Sequence, residues 1–290
     1  MDNSSNRIKK PTTFQEQVNI LKNKGLQIEE EHQAIEILNR INYYRLSAYT
    51  LTYKVDKKFL EGVSFDDVYN LYEFDKRLRN MIMGVLETIE VAFRIHIAYL
   101  IAHKYGATGY MDVANFINGR IHEDLMQKTN FEIDRSNEVF VEHYKSKYNG
   151  VFPVWVAIEV VSFGLLSKIY SNLKNEDKSE IATSYYKIPY KYIRSWLHTL
   201  STLRNICAHY GRIYNRQLTI KPMLYKRDVK KGIENDKMFA AIFIMGKLIK
   251  DTAEWRTFVT NLKALVEEYD KVDIKLMGFP DDWEQLLRNP

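Results

Sequence analysis

The 290 residues suffice for one large helical domain or two smaller ones, and 46% hydrophobic with 27% charged residues are ordinary values for a chain that buries a core. A single cysteine, Cys207, excludes an internal disulfide and suits a reducing compartment, while 12 glycines and 6 prolines are too few for a turn-rich β-sandwich or barrel. The net charge of +5 decides nothing by itself, but its placement is uneven: Ile181 to Arg227 holds nine Lys/Arg and no acid, leaving 33 basic against 37 acidic residues elsewhere.

In chain order, residues 1–10 are polar and basic, lack the apolar core of a secretory signal, and are expected to be a flexible N-terminus. Residues 11–290 are expected to form a single all-helical domain. "TFQEQVNILKNKGL" reads as a first helix with Thr12 or Thr13 as cap, Phe14, Val18 and Leu21 as its apolar stripe, and Gly25 at its end. A second helix is predicted over "EEHQAIEILNRINYYRLSAYTLTY", with Ile35, Leu38, Ile41 and Tyr44 at three-residue steps. There Tyr43, Tyr44 and Arg45 read as core, with base stacking as the alternative.

The longest helix is predicted over residues 64–105, with Leu71, Phe74, Leu78, Met81, Val85 and Ile89 inward. Asn80, Glu87, Glu90 and Arg94 lie on another face, where Glu90–Arg94 ion pairing is the expectation and a polar lining the alternative. "GATGYMDVANFINGRIHEDLM" reads as a connection with short helices. "VFPVWVAIEVVSFGLLSKIYSNL" reads as one central apolar helix that Pro153, Glu159 and Gly164 keep from being a membrane span, with Trp155 in the core. A link through "NEDKSEIATSYYKIP" leads to a helix from about Tyr190 to Tyr210, with Pro189 at its start. Two more helices follow, then a turn at Gly278-Phe279-Pro280. The fold class is all-α, and a soluble cytoplasmic protein is expected.

The helix after Pro189 carries the chemistry. Trp196, Leu200, Leu203, Cys207 and Tyr210 recur at spacings of four and three and form its apolar seam, so Cys207 reads as a small apolar side chain and not a nucleophile. His198, Thr202, Asn205 and His209 fall within about 60° of one another, while Arg204 points about 140° away from His209. No metal-ligand spacing, glycine-rich phosphate loop or nucleophile elbow occurs. Arginine with histidine suits RNA cleavage. RNA brings its own 2′-hydroxyl nucleophile, histidine moves protons near neutral pH, and arginine holds phosphate charge. The acid-free window with seven interleaved tyrosines points to a phosphate-rich partner, against a solvated helix face as the alternative. Its candidate RNA-binding residues are Arg194, His198, Tyr210, Arg212, Asn215, Arg216 and Lys221, with Arg212 and Asn215 also candidates to support the motif.

Arg204-Asn205-Ile206-Cys207-Ala208-His209 resembles the R-x4–6-H motif of the HEPN superfamily of helical ribonucleases. "RNICAHYGRIYNR" resembles the extended signature of bacterial abortive-infection proteins of the AbiD/AbiF-like group. "TFQEQVNILKNKGL", "INYYRLSAY", "FDKRLRNMIMGVLETIEVAFR", "FPVWVAIEVVSFGLLSKIY" and "MGFPDDW" resemble further blocks of that group and lie along the chain in its order. The resemblance implies a HEPN-like bundle with additional N- and C-terminal helices, acting in phage defence. It implies a metal-independent endoribonuclease without cofactor, leaving 2′,3′-cyclic phosphate and 5′-hydroxyl ends. Arg204 and His209 would be catalytic, with Asn205 orienting them. With one such motif in the chain, a homodimer is implied, with RNA and not DNA as partner, including a small structured RNA. Two other readings stay open: a non-catalytic RNA-binding or RNA-regulated defence protein, and a plain helix terminus in which His209 caps carbonyls.

Overall fold

The computed structural model describes residues 10–290, so the N-terminal stretch expected to be flexible lies, apart from Lys10, outside the described residues. Fourteen α-helices and one two-residue-strand hairpin occur among them, an all-α fold as expected. Contacts gather the chain into two compact units, residues 1–77 with 267–272 and residues 78–266 with 273–290.

In the first unit, α1 (Phe14–Lys22) begins with a capping box in which Thr13 and Glu16 satisfy each other's backbone N–H. It ends on Gly25 at φ +93°, a left-handed cap whose sign was legible in the sequence. Val18 and Leu21 are buried, but Phe14 is largely exposed. The second predicted helix is two helices, α2 (Glu31–Arg40) and α3 (Tyr43–Ser47). Asn42 makes the break, because its side chain accepts the Tyr44 N–H and restarts the helix as an N-cap. The buried seam of α2 is Ala34, Ile37 and Leu38, so the three-residue stripe is corrected. Tyr44 is 84% exposed and Arg45 is also on the surface, which removes both from the core. A hairpin of β1 (Lys54–Val55) and β2 (Lys58–Phe59) follows, with Asp56 and Lys57 both at positive φ, as a tight primed turn requires.

Helix α4 (Phe65–Tyr105) opens on a reciprocal Ser64–Asp67 cap and runs through both units. Leu71, Phe74, Leu78, Val85 and Ile89 are buried as expected, joined by Ile82, Leu86, Phe93 and Ile97.

In the second unit the glycine-rich middle becomes two 3-10 turns and a full 17-residue helix, α5 (Gly119–Arg135), then α6 (Val139–Lys147). The expected single apolar helix is split into α7 (Val154–Val160) and α8 (Phe163–Asn172), because the Ser162 side chain accepts the Leu165 N–H and caps a new start. Trp155 faces outward at 49% exposure, which corrects its placement in the core. α9 (Asn175–Ile181) leads through a π-helical turn, Ala182–Tyr186, to α10 (Tyr190–Ala208). α10 packs on α8 and, with the short α11 (Lys226–Val229) between, on α12 (Met238–Leu248), whose residues Met238–Met245 are all buried. Helices α13 (Thr252–Glu268) and α14 (Trp283–Arg288) close the chain. Among the described residues no helix is long and apolar enough to cross a membrane.

Candidate functional site

The motif occupies the last turn of α10 and the loop beyond it. Trp196, Leu200, Leu203 and Cys207 are buried as the seam predicts, and Tyr210, its expected last member, is 68% exposed. The helix stops earlier than the spacing suggests. His209 is its C-cap, Tyr210 takes φ +58°, and the N–H groups of Tyr210 and Gly211 bond to the carbonyls of Cys207 and Ile206. This is a Schellman turn with a tyrosine in the left-handed position that glycine ordinarily fills. Gly211 is needed one residue later, since a Cβ there would lie 3.1 Å from the Ile206 carbonyl oxygen. The turn sends Tyr210 off the buried seam into solvent.

On the exposed face of α10, His198, Asn205 and His209 are at the surface and Thr202 is half-buried, with its hydroxyl donating to the His198 carbonyl at 2.9 Å. The structure therefore brings His198, Asn205 and His209 onto one face. Among the described residues, neither the Asn205 amide nor the His209 imidazole has a side-chain hydrogen-bond partner, whereas buried polar groups nearly always do. Arg194 continues the same exposed row toward the N-terminal end of α10.

Arg204 leaves the helix on another side, where its Nε lies 3.8 Å from Oε2 of Glu90 on α4. Glu90 also pairs with Arg94, and both are buried. Arg94 further donates to the carbonyls of Ile158, Glu159 (2.9 Å) and Val161 (2.8 Å). Those carbonyls are left open where α7 ends, so Arg94 does the work that the next helical turn would have done. The Glu90–Arg94 pairing is as expected. Asn80 and Glu87 are exposed and join no such cluster, whereas Glu90 faces Arg204 of the motif.

The acid-free window is acid-free along the chain but not in space. Arg204 meets Glu90, Lys221 meets Asp236 at 3.4 Å, and Arg227 meets Asp228 at 3.8 Å. Glu90 comes from a distant segment, which no local count of acids can reveal, while Asp228 and Asp236 lie just past the window's end. Lys187, Lys191, Arg194 and Lys226 make no ion pair among the described residues.

The loop beyond α10 is pinned. The Met223 N–H donates to Ser195 Oγ at 2.8 Å, Trp196 Nε1 donates to the Met223 carbonyl at 2.6 Å, and the buried Tyr214 hydroxyl donates to Asp273 O. Asn215 is exposed at φ +48°, and Arg212 and Arg216 are half-buried, with Arg216 donating to the Arg212 carbonyl at 3.3 Å. The last turn of α10 thus carries an imidazole and an amide on its exposed face and a guanidinium on another.

A family model described as "Abi-like protein" matches residues 36–215, well over half of the chain and including the motif. The chain belongs to the Abi-like protein family. Membership supports a part in abortive infection, a phage-defence response. No curated protein and no solved structure matches the chain. In this Abi-like chain the matched segment takes in α4, the Arg94-capped break between α7 and α8, and the whole of α10.

What sequence reasoning missed lies on α4. Glu90 was legible as a partner of Arg94 but not of Arg204. Beside it, Val91, Ile95 and Tyr99 form a row at four-residue spacing that is exposed by 47%, 56% and 56%, and Ile95 and Tyr99 line one groove with Trp155. A helix apolar on its outward side as well as its inward one was the available signal.

Proposed function

We propose that this Abi-like chain is a metal-independent endoribonuclease of the HEPN type, acting in the cytoplasm as a homodimer whose toxicity halts the infected cell. The observation that carries the proposal is the state of Asn205 and His209: both exposed at the end of a rigid helix, with no side-chain hydrogen bond among the described residues. A structural cap would be engaged with its own backbone, and these groups are not.

In this reading the RNA 2′-oxygen attacks the adjacent phosphorus. The O2′–P bond forms, the P–O5′ bond breaks, and a 2′,3′-cyclic phosphate and a 5′-hydroxyl result. His209 takes the proton from the 2′-hydroxyl or delivers one to the departing 5′-oxygen. Asn205 positions the strand from the same face. Arg204 neutralises charge on the non-bridging oxygens. Its 3.8 Å separation from Glu90 exceeds a hydrogen bond, so its N–H donors remain free for phosphate.

Arg204 and His209 diverge within one chain, and a second copy resolves that divergence. The Val91–Ile95–Tyr99 row next to Glu90 is the ridge type that interdigitates with its own copy at a crossing angle of about −50°. The proposed dimer uses this row as its two-fold contact. A second reading, a non-catalytic RNA-binding protein, draws on the exposed row from Arg194 to His209.

One experiment separates the two. Purified chain and His209→Ala are incubated with RNA in EDTA, and binding is measured on the same samples. The ribonuclease reading expects cutting by the wild type alone, with RNA affinity unchanged in the variant. Equal behaviour of the two proteins, together with loss of binding in Arg212→Ala/Arg216→Ala, overturns it in favour of the binding reading.

A further inference from the structure

Away from the motif, where α9 turns into α10, several unusual features meet. Residues Ala182–Tyr186 form a π-helical turn, a rare irregularity often found at functional sites. The next residue, Lys187, is held at φ +56°, a left-handed conformation that an unbranched cationic side chain adopts only at a cost. Tyr185 stacks on His96 of α4, with ring centroids 3.6 Å apart and planes 14° apart. The Tyr186 hydroxyl and Nδ1 of His96 share a hydrogen bond at 3.1 Å, and Phe93 lies flat against the Tyr186 ring at 4.8 Å. Lys250 places its Nζ 4.8 Å from the centroid of the Tyr186 ring.

The exposed Glu180 lines a groove with Tyr185 but makes no ion pair with the lysines here. Lys187 and Lys250 have no acidic partner among the described residues, and the adjacent Asp251 is occupied in capping α13. Burial first, and then the charge of Lys187, lower the pKa of Lys250. Burial first, and then the charge of Lys250, draw His96 down to about 4. The groups facing His96 are Tyr185 and Tyr186 from the π turn, Phe93 on its own helix and Lys250 beyond α12. None of them is an acid.

We propose that Lys187, Lys250 and His96 form a phosphate-binding subsite walled by Tyr185 and Tyr186. A bound phosphate group relieves the repulsion between the two ammonium groups, and Tyr185, half-buried where Tyr186 is buried, is the ring that meets an unpaired base beside it. Lys187 is exposed, directly follows Tyr186 in the chain, and has no acidic partner among the described residues. The ligand class is a phosphate ester or free phosphate. The subsite does not depend on the ribonuclease reading, because occupancy is measured without cleavage.

The same location adds to that reading, however. Lys191, Arg194, His198, Thr202, Asn205 and His209 recur at three- and four-residue steps along α10, exposed apart from the half-buried Thr202. From Lys191 to His209 the helix rises about 27 Å, the reach of about eight stacked nucleotides. The subsite stands at the far end of that row from His209.

The test uses the full chain at neutral pH with a fluorescent 12-nucleotide single-stranded RNA. It is compared with the Lys187→Ala/Lys250→Ala variant across a salt series. Expected is an affinity loss of about tenfold and a salt slope shallower by about 1.4, the value for two contacts on a single strand. Imidazole NMR on the same samples follows His96, whose pKa should rise on addition of the ligand and fail to rise in the double variant. RNAs with 5′-phosphate and 5′-hydroxyl ends, and inorganic phosphate alone, identify the source. Equal responses to both RNAs assign backbone phosphates, a response to the 5′-phosphate RNA alone assigns a terminal phosphate, and a response to inorganic phosphate alone assigns a free anion. If no probe moves His96, or if the response survives in the double variant, the subsite is overturned. His209→Ala in the same assay retains the His96 response, so failure of the nuclease reading and failure of the subsite are told apart.

Discussion

Two arginines of similar sequence environment have opposite characters. Arg94 is buried, pairs with Glu90 and caps three carbonyls at the α7–α8 break. Arg204 is 37% exposed at its side chain and holds Glu90 only loosely. Replacing Arg94 with Ala leaves Glu90 and the carbonyls uncompensated, so a loss of about 3–5 kcal/mol is expected in urea unfolding. His209→Ala, at an exposed position without side-chain hydrogen bonds, should change stability by less than about 0.5 kcal/mol while abolishing cleavage. Gly211→Ala forces a Cβ against the Ile206 carbonyl and side chain, at 3.1 and 3.0 Å, and should cost about 1–3 kcal/mol by loosening the turn that presents His209. A thermal melt checks all three. Residue roles were legible where spacing alone decides them, as for the Trp196–Cys207 seam. They were not legible where a distant partner decides them, as for Glu90 against Arg204 or Trp155 at the surface.

At the scale of elements, helix type followed from apolar spacing but helix number did not, and two of the errors lie at internal caps. Asn42 and Ser162 each end one helix and begin another inside a continuous apolar run. A short polar side chain that accepts a backbone N–H outweighs periodicity at those points. The outward row of α4 carries a prediction of its own. Ile95→Glu puts a charge in the middle of the exposed apolar ridge without touching the core, and should convert a dimer to a monomer in light scattering while the thermal midpoint stays. A wild-type monomer at micromolar concentration would contradict the two-fold contact. The α4–π-turn junction sets a pH dependence. His96 has a pKa of about 4 in the folded chain against an ordinary 6.5, so the unfolded chain binds its proton first as pH falls. The stability it contributes is whole above about pH 6.5 and is lost between about 6.5 and 4, and urea midpoints should show this. His96→Gln, which does not titrate, should flatten the profile over that window.

For the molecule as a whole, membership of the Abi-like family and an all-α fold place a rigid helix under the motif, and α12, buried along almost its whole length, supports that helix from behind. The fold class was legible because few glycines and prolines and long 3.6-residue periodicity leave no other class open. The hairpin at residues 54–59 was not, because two-residue strands carry no period. The basic, tyrosine-rich window proved a mixture, partly neutralised by Asp236 and Asp228 and partly an open row along α10. That open row, ending in Asn205 and His209, is what the ribonuclease account requires. The most direct test is mass spectrometry of the RNA ends left by the wild-type chain in EDTA. The account predicts 2′,3′-cyclic phosphates facing 5′-hydroxyls, formed only where the nucleotide 5′ of the cut carries a 2′-hydroxyl. Cleavage to 3′-hydroxyl and 5′-phosphate ends, or cutting that persists at a 2′-deoxy position, would contradict it.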